Sequence, residues 1–149
     1  MIDFTVHTQI MRTPAEVFDY VADPSKLVTW QTNTVVAELL GDGPMGVGAR
    51  LREVHRGPGG RELESVVEVS AYDPGRAFGL RMVEGSLPID ADLTFEQSEV
   101  GTLLAFRVHG QPAGAARVAQ PVLRVVLKRQ FSGYCASLKR VLEADAGTS

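Results

Sequence analysis

The sequence predicts an α+β fold in which one long helix closes over an antiparallel sheet. Residues 120–145 place apolar side chains on one side of a helix, and such a helix must pack against a broad surface. The earlier chain supplies that surface, because it consists of short segments of alternating polarity joined by tight turns, which is typical of antiparallel strands. The stripe on the helix comprises Leu123, Leu127, Gln130, Phe131, Tyr134, Leu138, Val141 and Leu142.

Composition and charge are those of one globular domain spanning residues 1–149. Apolar residues make up 44% of the chain and charged residues 22%, which suffices for a core. The net charge of −3 argues against nucleic acid as a partner. No stretch approaches the roughly 18 apolar residues that span a bilayer, and the N-terminus lacks the pattern of a signal peptide. We therefore expect a cytoplasmic protein with no integral membrane segment, either a monomer or a homodimer.

The first part of the chain is predicted to form a strand and two short helices. Residues 2–11 alternate between apolar and polar side chains, as a half-buried strand does. Thr13 is a good N-cap and Pro14 fits the first position of a helix. The Asp-Pro pair at 23–24 ends this helix and opens a second one over residues 25–30. Two short helices in succession predict a helical wedge against the sheet.

Six further strands are predicted between the wedge and the long helix. The glycine-rich connection at 41–48 is interpreted as turn chemistry, because a phosphate-binding loop would need a Lys-Ser or Lys-Thr and a following helix. Glycine, proline and acidic residues mark the later turns. The predicted strands cover residues 34–40, 49–56, 62–72, 76–83, 87–96 and 102–109.

In the predicted strands 49–56 and 62–72, the charged side chains divide between the two faces of the sheet. Alternation places Arg50, Arg52 and Arg56 on one side, opposite the glutamates of the neighbouring strand, where cross-strand ion pairs on a solvated surface explain them. Glu53 and His55 remain on the other face, which also carries Leu51 and is the predicted inner one.

Four stretches together resemble the START/Bet v 1-like superfamily, in particular its bacterial polyketide cyclase/dehydrase and lipid transport group. The resemblance covers nearly the whole chain. It implies a helix-grip fold, in which a curved seven-stranded antiparallel sheet (order β-αα-β6-α) wraps around the long C-terminal helix and leaves an elongated cavity. Members of the group bind apolar molecules, and some catalyse cyclisation or dehydration. The stretches are TPAEVFDYVADPSKLVTW (13–30), GPMGVGARLREV (43–54), VSAYDPGRAFGLR (69–81) with GTLLAFRV (101–108), and LKRVLE (138–143).

Glu53 and His55 are the candidate polar residues of such a cavity. Two residues apart on one strand, they share a face and could act as general base and acid or bind the polar end of a ligand. Alternatively, they lie solvated at the cavity mouth. If the protein is an enzyme, the catalytic candidates are Glu53, His55 and Tyr134. Ser65 either adds a hydroxyl to the site or is a small residue that accommodates helix packing.

The complete set of candidate ligand-binding residues combines these polar groups with apolar residues of the inner face, for each of which core packing is the alternative. It comprises Trp30, Leu51, Glu53, His55, Ser65, Val67, Leu80, Met82, Leu93, Phe95, Phe106, Leu127, Gln130, Phe131 and Tyr134. We expect neither a metal nor a cofactor, because His7, His55 and His109 are dispersed and the single Cys135 is interpreted as a packing residue.

Three functions are compatible with the sequence. The preferred one is a binding protein for a small hydrophobic or amphipathic molecule in the cavity between sheet and helix. The second is an enzyme of the polyketide cyclase or dehydratase type. The third is a protein-interaction module that uses a basic face of the last helix, for which a merely solvated face is the alternative. That face comprises Arg117, Arg124, Lys128, Arg129, Lys139 and Arg140.

Overall fold

The sheet and its closing helix are both present in a computed structural model, which describes residues 1–85, 88–111 and 119–147. Within these ranges the chain forms a seven-stranded antiparallel sheet in the order β1-β7-β6-β5-β4-β3-β2. Its strands are β1 (Ile2–Ile10), β2 (Thr34–Leu40), β3 (Arg50–Arg56), β4 (Glu62–Asp73), β5 (Ala77–Glu84), β6 (Ile89–Ser98) and β7 (Gly101–Gly110). The long helix, α3, runs over Gln120–Gly147. The predicted α+β class and its helix-grip arrangement are confirmed.

Two helices between β1 and β2 form the predicted wedge. Helix α1 (Pro14–Val21) begins with a capping box, in which the Glu16 N–H donates to Thr13 Oγ1 at 3.2 Å and the Glu16 carboxylate accepts from the Thr13 N–H at 3.3 Å. The second predicted helix is divided into a 3₁₀ turn, Pro24–Lys26, and helix α2, Leu27–Trp30. The wedge therefore begins where the capping residues predicted it, and it places Trp30 in the core, 1% exposed.

A β-bulge in β4 changes which side chains face the helix. The pairing of β4 with β5 shifts between Val69 and Ala71, so an extra residue is inserted there and the following residues change sides. Tyr72 consequently faces inward, with its ring centroid 5.2 Å from that of Phe18. Simple alternation predicted Ala71 on the inner face, but Ala71 pairs with Gly79 on the outer side of the bulge.

The carboxyl half of α3 is tied to the region around the end of β1. Arg12 Nε donates to the Leu142 carbonyl at 3.0 Å, and the Glu143 carboxylate accepts from the Met11 N–H at 3.0 Å. Lys139 Nζ donates to the Gln9 carbonyl at 2.6 Å and to Glu143 at 2.8 Å. Leu138 and Leu142 are buried, whereas Val141 is only partly buried.

The predicted basic face of α3 is therefore partly engaged within the molecule, through Lys139. Arg124, Lys128, Arg129 and Arg140 are exposed, while Arg117 lies outside the described residues. Leu87, predicted as the first residue of its strand, also lies outside them. In the described part of the chain, none of the helices is both long enough and apolar enough to cross a membrane.

Candidate functional site

A cavity of about 530 Å³ lies between α3 and the sheet. Helix α3 packs closest against β1 and α2, and the cavity occupies the space between the first half of this helix and strands β3 to β7. Its wall is mostly apolar. The exposed side chains of Leu63 and Val126 border it, so it opens to solvent beside the β3–β4 hairpin.

Short side chains on the sheet leave this space unfilled. The strand residues that face the helix here include Ser65, Val67 and Ala91. At the other end of the sheet, rings fill the same layer: Phe18 packs edge-to-face on Phe95 at 5.4 Å and on Phe78 at 6.1 Å. The cavity therefore follows from side-chain size along one inner face.

A chain of hydrogen bonds links α3 to the loop before β2. Gln130 Nε2 donates to the Tyr134 hydroxyl at 2.6 Å, and that hydroxyl donates to Asn33 Oδ1. Burial raises the pKa of Tyr134 to about 12, against the opposing effect of the Gln130 hydrogen bond, and the nearby Glu53 carboxylate raises it further. Tyr134 is therefore a neutral phenol at physiological pH, and its ring lies at the cavity wall with its hydroxyl held in place.

Glu53 is a buried carboxylate in the wall of the cavity. It is 5% exposed, and its Oε1 lies 3.1 Å from His55 Nε2, which forms an ion pair when the imidazole is protonated. In the sheet register Glu53 lies between Ala37 of β2 and Ser65 of β4. The hydroxyl of Ser65 is buried and has no hydrogen-bond partner among the residues that the structure describes. Two buried polar groups thus adjoin in a mostly apolar wall.

Most of the residues predicted for the site line this one cavity. They are Glu53, His55, Ser65, Val67, Leu80, Met82, Phe106, Leu127, Gln130, Phe131 and Tyr134. Whether each of them contacts a ligand or takes part in catalysis stays a prediction, because a position in the wall does not by itself assign a role.

The remaining four predicted residues lie elsewhere in the core. Trp30, Leu51 and Leu93 border a separate void of about 10 Å³, and Phe95 packs against Phe18. The helical wedge, to which Trp30 belongs, packs against the other three residues and fills the space between them and the helix layer. Alternation assigned Leu51, Leu93 and Phe95 correctly to the inner face, but it contains no information on how far along the sheet the wedge extends.

Several wall residues were not among the predicted site residues. The inner-face pattern already contained Ile89, Ala91 and Leu123, so a signal for them was present. Strict alternation along the predicted strand 87–96 would point Asp90 outward, yet it lies at the cavity wall and its carboxylate accepts a hydrogen bond from the Met82 N–H at 3.1 Å. The others missed are Gln31, Asn33, Arg56, Gly57, Leu63, Glu64 and Val126.

Among the residues that the structure describes, the other reactive side chains do not form a second centre. Burial raises the pKa of the Cys135 thiol to about 12, so it is a packing residue and not a thiolate nucleophile. His109 Nε2 lies 2.7 Å from Asp92 Oδ2. Within the described ranges, no three His, Cys, Asp or Glu side chains are grouped as metal ligands.

Comparisons with known proteins identify the family of the chain and solved structures with a similar fold. A family model described as polyketide cyclase / dehydrase and lipid transport matches residues 1–143. No curated protein matches the chain. The fold is similar to that of TTHA0849 from Thermus thermophilus, with a TM-score of 0.81 and 14% identity over 96% of this chain and 98% of that one.

Two further solved structures have the same architecture. Ara h 8.0201 is similar with a TM-score of 0.69 and 15% identity, covering 95% of this chain and 97% of that one. The Aha1 dimer from Colwellia psychrerythraea gives a TM-score of 0.66 and 18% identity, covering 96% and 97%. At these identities the similarity establishes the fold alone, and the family model establishes the relationship.

Proposed function

Since the chain belongs to the polyketide cyclase/dehydrase and lipid transport family, we propose that it binds a small, mostly apolar molecule between α3 and the sheet. The observation that carries this proposal is the cavity of about 530 Å³, which has an apolar wall and a small group of buried polar side chains. Ligand pockets in proteins span roughly 300–1,000 Å³ and combine these same two features. The apolar wall supplies affinity, and the polar groups orient the ligand.

A neutral fluorescent reporter tests this function. N-phenyl-1-naphthylamine should bind the protein with an increase in fluorescence, and Ala91→Phe, which adds a ring inside the cavity, should weaken binding by at least about tenfold. Val47→Phe is the matched control, because Val47 is 70% exposed in a loop away from the cavity. Equal binding by the two variants would place the reporter outside the cavity and contradict the proposal.

A second candidate, acid–base catalysis on a polyketide-like substrate, is favoured by the contact between Glu53 and His55. In a dehydration, Glu53 would take a proton from carbon while protonated His55 gave one to the leaving hydroxyl, which departs as water. Tyr134, which stays protonated, would hold the substrate oxygen by exchanging its hydrogen bond to Asn33 for one to the substrate.

Two variants separate the carrier from the enzyme. Incubation with a β-hydroxy ketone, followed by mass spectrometry, would detect the loss of water. Glu53→Gln and His55→Ala should then abolish product formation while the reporter still binds. Absence of turnover in the unchanged protein with such substrates would leave the carrier function as the better account.

The location and assembly of the protein are part of the same proposal. It is a cytoplasmic protein, monomeric or homodimeric, and its single buried Cys135 needs no oxidising compartment. The Aha1 relative is a dimer. Light scattering of the purified protein measures the assembly state, and a mass above that of two chains would contradict this part.

A further inference from the structure

Resting on the ligand-binding function above, we propose that the ligand carries an uncharged hydroxyl group, alcoholic or phenolic, that binds at Glu53 and Ser65. Ligands that end in a carboxylate are disfavoured at the same place. The site is the part of the cavity wall formed by β3 and β4, where these two residues are direct cross-strand partners.

Most of the other polar side chains in the wall already have a hydrogen-bond or ion-pair partner within the protein. The Tyr134 hydroxyl accepts from Gln130 and donates to Asn33, and the Asp90 carboxylate accepts from the Met82 N–H. A ligand would have to compete with an existing hydrogen bond at each of them, which removes most of the gain. They therefore shape the cavity without selecting the polar group of the ligand.

Glu53 and Ser65 differ from these groups because their hydrogen-bonding capacity is not used up. Within the described residues, the Glu53 carboxylate has one polar side-chain contact, which joins its Oε1 to His55 Nε2 at 3.1 Å. Ser65 is only 8% exposed, and within the described chain its hydroxyl makes no hydrogen bond. A buried hydroxyl without a partner costs free energy that a suitable ligand would recover.

The two groups are complementary to a hydroxyl. An ionised carboxylate only accepts hydrogen bonds, whereas a serine hydroxyl can donate one. Directly opposed residues on antiparallel strands have Cβ atoms about 5 Å apart, so one ligand oxygen can reach both. It would donate its proton to Glu53 and accept one from Ser65. An ether has no proton to donate, and a carboxylate has neither the proton nor a charge compatible with Glu53.

Met82 lies close to Ser65 in the cavity wall. The sulfur of Met82 and the Cβ of Ser65 lie 2.8 and 3.2 Å from the point where a Cβ on Gly85 would be. Methionine side chains change rotamer at low cost. A ligand oxygen that approaches the serine from the Met82 side would therefore displace a flexible thioether and not a rigid ring.

Three matched two-ring probes test the inference on the unchanged protein by isothermal titration calorimetry. 2-Naphthol should bind at least about tenfold more tightly than 2-methoxynaphthalene, because a hydrogen bond to a charged group contributes that much. 2-Naphthoate should bind most weakly. Equal affinities for naphthol and its ether, or tighter binding of the carboxylate, would overturn the inference. Failure of all three probes would also overturn it, and the reporter titration decides separately whether the proposed function fails too.

Glu53→Gln tests which residue makes the selection. The amide keeps the size and one acceptor but removes the charge, so the penalty on 2-naphthoate should disappear and the naphthol-to-ether ratio should fall several-fold. Glu96→Gln is the matched control, on an exposed site of β6, and should leave both ratios unchanged. Both affinities in each ratio are measured on the same variant. A modest loss of folding stability therefore lowers both by the same factor and leaves the ratio unchanged. An unchanged ratio in Glu53→Gln would overturn the role of Glu53.

Discussion

The two ends of the space under α3 are built from the same sheet and the same helix, yet one is packed and the other is open. At the packed end, the wedge residue Phe18 contacts Tyr72, Phe78 and Phe95, and Leu138 of the helix is fully buried. At the open end, serine, valine and alanine side chains face the helix across a cavity. Loss of a packed side chain is therefore expected to cost more folding free energy at the packed end, whereas side chains at the open end can vary with less effect on the fold.

The largest expected effect separates the two ends along one helix. Leu138→Ala should lower the free energy of unfolding by about 2–5 kcal/mol, because it removes a fully buried side chain from the packed end. Val126→Ala, on the open end of the same helix and 55% exposed, should change it by less than about 0.5 kcal/mol. Urea denaturation measures both. Similar losses in the two variants would show that the open end contributes to stability as well.

Alkaline pH should act on the open end through Tyr134. The pKa of Tyr134 is raised to about 12 from the ordinary value of 10, so the folded state favours the neutral phenol. This preference contributes to the free energy of unfolding fully below pH 10, and the contribution is lost as the pH rises from about 10 to about 12. The loss should amount to at most about 3 kcal/mol. Denaturation at a series of alkaline pH values measures it. Tyr134→Phe should lack this part of the pH dependence, and an identical slope in the variant would assign the effect to other groups.

Removal of either of two buried hydroxyl groups, one at each end, should change the free energy of unfolding in opposite directions. Thr102 Oγ1 donates to the Arg12 carbonyl at 2.7 Å, so Thr102→Val should destabilise the fold by about 1–2 kcal/mol. Ser65 has no such bond among the described residues, so Ser65→Ala should stabilise it by about 1 kcal/mol. Thermal unfolding of both variants makes the comparison. A loss of stability in Ser65→Ala would indicate that its hydroxyl is satisfied in solution.

The smallest effect is expected for an exposed ion pair at the rim of the cavity. Arg56 and Glu62 form an exposed ion pair at 3.6 Å. Glu62→Gln should change the free energy of unfolding by less than about 0.5 kcal/mol, and high salt should remove the difference. Urea denaturation at low and high ionic strength measures it. A salt-independent loss above about 1 kcal/mol would mean that this pair is coupled to the cavity mouth.

The elements of the fold could be predicted because they depend on local information. The alternation in β1, the capping pair of Thr13 and Glu16, and the stripe on α3 each identify an element without reference to the rest of the chain. The bulge before Tyr72 could not be predicted, because strand register is decided by the neighbouring strand.

The sequence predicted which side chains of the candidate site face the helix, but not how far along the sheet the cavity extends. Alternation brought Glu53, His55 and Ser65 to the inner side, where all three line the cavity. It could not distinguish Leu93, under the wedge, from Ala91, two residues nearer the opening. Asn33 lies just before β2 with no periodic pattern, and only the fold brings its side chain to Tyr134.

The attachment of α3 to β1 determines how the opening can widen. Arg12, Lys139 and Glu143 fasten the helix near its carboxyl end, so a rigid tilt about that end would move the opposite end most. Leu123 lies 20 residues from Glu143, which is about 30 Å along the helix axis. A tilt of about 5° would therefore displace Leu123 by about 2.6 Å, from the rise of about 1.5 Å per residue. Such a tilt would widen the mouth while the hydrogen bonds at the carboxyl end stay intact, and the bond from Tyr134 to Asn33 would resist it.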